Sequence, residues 1–333
     1  MKFVFFLFFL IISPLISQDN MVELPKSKQR LMIANATFAE NIRDIDKRKL
    51  EAAVTLSSAL SGKLYLVPNA TLDSVAKILK SKSIEPTVLL VAKELNVDEL
   101  IFFNINRLEK VLRVGITSIT SDSSQIKREG VGWAAIRYLY KEDDRQLIDP
   151  ALLTAVQRAF ADMYNDSLMY DKADGSFRVF PAEPTVIGGI DFIDNEEMPK
   201  WEIFESKEVY SFDAIETIFA EAIKSPVLVT YDIDTRDSVY AMFGLHLVEN
   251  FNAPSSLELE ILEKLEVKYY ITGNLKRVDG GVIIELFFCE LYKGRLNILR
   301  SSEGILTSDS MDDMRKLFIK LTNKLLNIEL VEK

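Results

Sequence analysis

The carboxylates between residues 191 and 197 hold the densest potential chemistry in this chain. Asp191, Asp194, Asn195, Glu196 and Glu197 crowd the end of an apolar run. Oxygen donors of this kind can hold a hard cation such as calcium, and paired carboxylates can serve a metal- or carboxylate-dependent hydrolase as acid and base. Their spacing matches no calcium-loop pattern, and a charge run at a strand end is ordinarily a solvated loop. The run "DKADG" at 171–175 fails the same test. No metal site and no cofactor are assigned.

The other reactive residue types are scarce. The chain has one histidine, His246, set among apolar residues in "YAMFGLHLVENF", where a structural role is expected. It has one cysteine, Cys289 in "IIELFFCELY", so no internal disulfide can form and the thiol is expected in a core. A nucleophile-histidine-carboxylate triad and a zinc site built on several His or Cys ligands therefore lack their parts. The glycines of "VIGGIDF" do not have the spacing that cradles a phosphate and are read as permitting close packing. No catalytic or cofactor-binding residue is proposed, and the chain is read as a non-enzyme.

Aromatic residues offer a different chemistry, that of protein contact. Trp133, Tyr138 and Tyr140 fall in a segment read as an insertion, and Trp201 falls in the connection "NEEMPKWEIFESKEVY". Aromatic side chains outside a shared core are candidate interface anchors, with ordinary core filling as the alternative.

The elements that must position these residues appear twice. "ELNVDELIFFNINRLEK" (94–110) and "KLEVKYYITGNLKRVDG" (264–280) are identical at five of 17 positions: Leu95/Leu265, Val97/Val267, Ile101/Ile271, Asn104/Asn274 and Arg107/Arg277. Asn104 and Arg107, three apart on a strand, point to opposite faces, as do Asn274 and Arg277, so each pair is read as structural. Buried strands are expected at 30–38 and 185–194, each followed by a helix, from Asp46 and from Ser211. On the second helix Phe212, Ile215, Phe219 and Ile223 should form the buried face, with Ser211 as N-cap. Short strands follow at "KLYLV" and "PVLVTYDI", and the repeated "DSV" (73–75 and 237–239) should start the next helix. A hairpin then turns at Asp279-Gly280, with less favourable residues in the first copy, and the helices 150–164 and 310–326 close the copies. The offset between copies places about a dozen extra residues of the first copy around 131–144.

These readings predict an α/β (α+β) chain of two tandem similar modules, each a small mixed sheet with helices packed on it. Residues 1–17 read as a secretory signal peptide, 18–175 as the first module and 176–333 as the second. The apolar run Phe3–Ile12 suits an exported leader and is too short for a bilayer that needs about 20 residues. No membrane span is expected in the mature chain, and no cysteine stands near the expected cleavage site to carry a lipid. The net charge of −10 disfavours nucleic acid as a partner.

Order and residues together resemble a periplasmic module found in the N-terminal domain of TolB, in the curli secretion protein CsgG and in the flagellar protein FlgO. "LEVKYYITGNL" (265–275) fits that pattern, with Gly273 in the expected place, whereas the first copy has Phe103 there. The resemblance implies a non-catalytic domain of cell-envelope assemblies. The chain departs from it in showing no propeller, lipidation cysteine or barrel hairpins, so no member's specific activity carries over. The expectation is an exported protein, periplasmic or secreted, whose partners are envelope proteins. A ligand- or cell-wall-fragment-binding protein using the inter-module cleft and a hydrolase built around Asp191 stay open as alternatives.

Overall fold

The computed structural model describes residues 28–121, 125–136, 147–171, 179–194, 200–246 and 248–327. The signal-peptide expectation, Tyr138 and Tyr140, the carboxylates 196 and 197 with Asn195, and the boundary at 175/176 lie outside these residues.

The first sheet contains β1 (Gln29–Phe38), β2 (Leu64–Leu66), β3 (Glu99–Leu108), β4 (Val111–Thr120) and β5 (Ile126–Ala135), in the order β2-β1-β3-β4-β5. The second contains β6 (Glu183–Ile193), β7 (Leu228–Thr230), β8 (Tyr269–Val278), β9 (Gly281–Tyr292) and β10 (Arg295–Leu306), in the order β10-β9-β8-β6-β7. Read from the short edge strand, the two orders are one topology. Two parallel neighbours flank the first strand, then two antiparallel hairpins run outward. The chain is thus two mixed five-stranded sheets with helices on both faces.

In the first module α1 (Lys47–Ser61) and α4 (Pro150–Met163) cover one sheet face, and α2 (Asn69–Ser81) with α3 (Val88–Glu94) covers part of the other. In the second, α6 (Lys207–Ala222), preceded by the short α5 (Glu202–Glu205), and α9 (Met311–Leu326) take the first role. There α7 (Ile233–Met242) and α8 (Ser256–Lys264) take the second. Local signals start several of these helices. Asp46, Asp149 and Asp232 each accept a backbone N–H of the first turn, and Ser255 with Glu258 forms a reciprocal capping box. Phe160 and Phe318 are fully buried at comparable places in the closing helices. Both β3–β4 and β8–β9 turn in two residues, Glu109-Lys110 and Asp279-Gly280.

Several local expectations need correction. "DSV" lies inside α2 and inside α7, and the caps are Pro68 and Asp232, five residues earlier. Ser211 is buried within α6, donating its hydroxyl to the Glu208 carbonyl, because the helix begins at Lys207. The buried face of α6 is Tyr210, Ala214, Ile215, Ile218 and Ala222, which turns Phe212 (52% exposed) and Ile223 outward. Residues Val131–Ala135 belong to β5, so Trp133 stands in the shared sheet and not in an insertion. His246 is exposed, on the connection between α7 and α8.

Candidate protein-contact surfaces

The surfaces that meet between the modules are different surfaces. The first module offers the end of its β3–β4 hairpin and β5; the second offers the end of β7, the start of α7 and the turn after α8. Val111 and Trp133 enter one buried cluster with Val229, Tyr231, Leu259 and Val267. Trp133 is 4% exposed, with the Arg113 guanidinium 5.6 Å from its ring centroid. Around this apolar centre, Lys110 Nζ donates to Asp232 at 2.6 Å and reaches Asp234 at 3.5 Å. Arg113 grips both carboxylate oxygens of Glu266 at 2.7 and 2.8 Å, the bidentate geometry that holds orientation best. Burial works against the Asp232 carboxylate, yet hydrogen bonds from Lys110 and Thr235 hold it below the usual range. The Asp232 hydrogen bond in turn raises Lys110.

Arg158, on α4, ties three segments together. It donates to the carbonyls of Phe180 at 3.0 Å, Trp133 at 2.5 Å and Pro226 at 3.4 Å, and so joins β5, the inter-module connection and the entry to β7. Beside it a cleft of about 620 Å³ opens between the modules, lined by Ala134, Ile136, Thr154, Ile223, Pro226 and Leu228 among others.

The residues singled out by type are placed as follows. Trp133 is interior to the chain, at the module junction. Trp201 is half-buried, packs against the second module's core and precedes α5. Asp194 is engaged by Arg277 at 2.9 Å, and Arg277 also lies over the Phe204 ring at 4.6 Å. Among the described residues no group of three or more His, Cys, Asp or Glu side chains is arranged to hold a metal ion. Arg107 makes the corresponding tie in the first module, to Asp44 at 3.1 Å, so both repeated arginines fasten the end of the third strand to the loop after the first. Cys289 is buried, and burial pushes its thiol up to about 11. The glycine pair does permit close packing: a Cβ on Gly188 would sit 1.6 Å from the Tyr270 hydroxyl. Lys110, Arg113, Asp232, Glu266 and Arg158 were not anticipated. The available signal was a difference between the copies, since Lys110 aligns with Gly280 and Glu266 with Asn96.

Among the described residues two apolar surfaces remain only partly covered. The stripe Leu72, Val75, Ala76 and Leu79 on α2 is closed only at Leu79, and Ile78, Ile84, Val88 and Leu89 beside it are 43–51% exposed. In the second sheet, Ile305 is 62% and Ile193 41% exposed, on the face opposite α6 and α9. Among the described residues no helix is long and apolar enough to cross a membrane.

No family model matches this chain, and no curated protein matches it. Among solved structures, the LpoB C-terminal domain from Escherichia coli is similar at 9% identity, over 38% of this chain and 84% of that one, with a TM-score of 0.27. The hypothetical protein CT253 from Chlamydia trachomatis is similar at 11% identity, over 41% and 94%, with a TM-score of 0.26. Lipoprotein GNA1162 from Neisseria meningitidis is similar at 10% identity, over 42% and 99%, with a TM-score of 0.25.

Proposed function

We propose that this chain is an exported, non-enzymatic protein built from a duplicated module of the kind found in TolB, CsgG and FlgO, working through protein contacts in a bacterial cell envelope. The observation that carries the reading is the pair of open apolar surfaces, on α2–α3 and on the β9–β10 end of the second sheet. Clustered exposed apolar side chains mark interaction sites more often than chance exposure does. The leader-like first 17 residues support export. Trp201, Tyr138 and Tyr140 are further contact candidates; Trp133 acts through the module junction instead.

The test is crosslinked capture from the host's own envelope fraction with the wild-type chain and with Leu89→Glu, Ile305→Glu and Trp201→Ala. Specific recovery of a protein, lost in a surface variant that folds normally, supports the reading. Equal recovery in all of them, or none above background, refutes it.

A second reading rests on the cleft between the modules, whose volume of about 620 Å³ falls in the range of small-ligand sites. It takes the chain as a binding protein for a small ligand or a cell-wall fragment. A thermal-shift screen with cell-wall fragments, repeated on Thr154→Trp to fill the cleft, separates it from the first reading.

A further inference from the structure

The junction between the modules is heterologous: a plug on the first module enters a socket on the second. The plug is Leu108, Lys110, Val111, Arg113 and Trp133. The socket is the end of β7, the start of α7 and the α8–β8 turn, with Asp232 and Glu266 at its rim. Because the two modules share one topology, each also carries the surface that the other uses. Among the described residues the first module therefore has an unused socket, and the second an unused plug.

Equivalent positions follow from the pairing registers. Val111 pairs with Leu108 and Gly281 with Val278, so Lys110 corresponds to Gly280 and Arg113 to Ile283. Arg113 faces Trp133 across β4–β5, and Ile283 faces Ile305 across β9–β10, so Ile305 stands where Trp133 stands. Trp133 is 4% exposed and Ile305 62%: the second module lies over the first of these, and no described residue closes over the second. On the socket side, Val67 and Tyr231 each donate a backbone N–H to the first strand, to Leu31 and Thr185. Pro68 thus corresponds to Asp232. Asn96 and Glu266 are the matching left-handed residues after α3 and α8, at φ 49° and 60°.

The exchange of residue types is matched on the two sides. The junction used within the chain sets two cations, Lys110 and Arg113, against the carboxylates of Asp232, Asp234 and Glu266 around an apolar centre. Its unused counterpart replaces the cations by Gly280 and Ile283 and the partner carboxylates by Pro68 and Asn96; the exposed charges beside it are Lys276, which faces Ile283 across β8–β9, and Glu303, which stands where Val131 stands. Apolar side chains stand on the plug at Val278, Ile283 and Ile305, while Gly281 replaces Val111, and the socket holds the half-covered Tyr65, Leu72 and Val75. Half of the residues of α7 are buried, with Arg236 held inside its own module by Ile187 and Asn250, whereas Leu79 is the one buried residue of α2.

We propose that the open plug of the second module docks into the open socket of the first module on another copy of this chain, a head-to-tail contact that repeats the one inside the chain. A heterologous contact of this kind closes into a ring or continues as a filament, according to its rotation. The inference rests on the reading of these faces as protein-contact surfaces and names the partner.

The test is sedimentation velocity on the purified exported chain over a concentration series, with Ile283→Arg, Asn96→Glu and the double variant. The expected result is concentration-dependent association of the wild type, weakened on the order of tenfold by Ile283→Arg and by Asn96→Glu. The double variant, which rebuilds between copies the kind of ion pair that Arg113 and Glu266 make within one, is expected to associate again. Circular dichroism and the melting midpoint report whether each variant folds, and Met242→Glu, on an exposed residue away from both surfaces, is the neutral control. A wild type that stays monomeric throughout overturns the proposal, as does association that both single variants leave intact or that the double variant fails to restore. Capture of a different envelope protein by these faces while the chain itself stays monomeric overturns the self-contact and leaves the broader reading standing.

Discussion

Replacing Trp133 with alanine should cost more than any other single truncation at the module junction. The indole is 4% exposed and lies between the Arg113 guanidinium and the buried cluster around Val229 and Tyr231. Removing a ring that buries roughly 150–200 Å², at about 25 cal/mol per Å², forfeits about 4–5 kcal/mol, within the usual range for buried Trp→Ala. Against a total stability of about 5–15 kcal/mol this is a large share. Because the ring belongs to one module and its pocket to the other, the loss falls on their coupling. Urea unfolding followed by circular dichroism should move to lower denaturant and separate into two steps. The chain has two tryptophans, so in Trp133→Ala the fluorescence of Trp201 reports the second module alone. Trp133→Phe, which keeps most of the ring area, should restore most of the loss. A change under about 1 kcal/mol with one unaltered transition, the size expected of a surface site, would refute the argument that this junction is built around Trp133.

Three further outcomes follow from the same geometry. In Gly132→Ala the added Cβ would stand 2.0 Å from the Ala155 carbonyl oxygen, where β5 and α4 meet backbone to backbone, so the melting midpoint should fall by several degrees or the chain fail to fold, while Gly62→Ala, open in space, costs only the strain of its left-handed φ. Cys289, buried with its thiol pushed up to about 11, should resist a water-soluble thiol reagent at pH 8 until denaturant is added; rapid native labelling would contradict its placement. The Lys110–Asp232 contact should make the junction pH-sensitive: the Asp232 carboxyl is lowered, so its contribution is present above the ordinary carboxylate range of about 3.9 and is lost as pH falls through the folded value. Lys110 is raised, so the same contact persists below about 10.4 and fades as pH rises beyond. Lys110→Met should remove the alkaline limb and shrink the acid one, where the Thr235 hydrogen bonds to Asp232 remain, and an unchanged profile would count against the contact.

Much of the architecture was legible because it is written in local periodicity. The apolar strand runs, the helix that starts from Asp46 and the Asp279-Gly280 turn depend on residues within a few positions of one another, and each appears in the structure. The repeat of Leu95, Val97 and Ile101 at Leu265, Val267 and Ile271 announced a common topology. Local pattern failed where the covering partner is remote. Of the residues spaced for a buried face, Ile215 is buried and Phe219 packs against the core, but Phe212 and Ile223 turn outward because α9 packs against α6 from another side. Asp-Ser residues suit a cap and also tolerate the first turns of an established helix, so "DSV" could not fix where α2 and α7 begin. Trp133 read as belonging to an insertion because the change in offset between the copies shows how many residues are extra but not where they begin, and the pairing registers that match Arg128 with Arg300 and Gly132 with Gly304 are visible only in the folded sheets.

The amino-acid sequence by itself determined the two-module α/β plan, the scarcity of catalytic residue types and the core position of Cys289. Each of these is set by composition and by short-range spacing. Only the tertiary structure decided which charges meet: Lys110 and Asp232 stand 122 positions apart and Arg113 and Glu266 153, separations at which no sequence periodicity can act. It also decided that one plug is covered and its counterpart open. A side chain's burial is a property of what packs over it, and Trp133 and Ile305, alike in register, stand at 4% and 62% exposure.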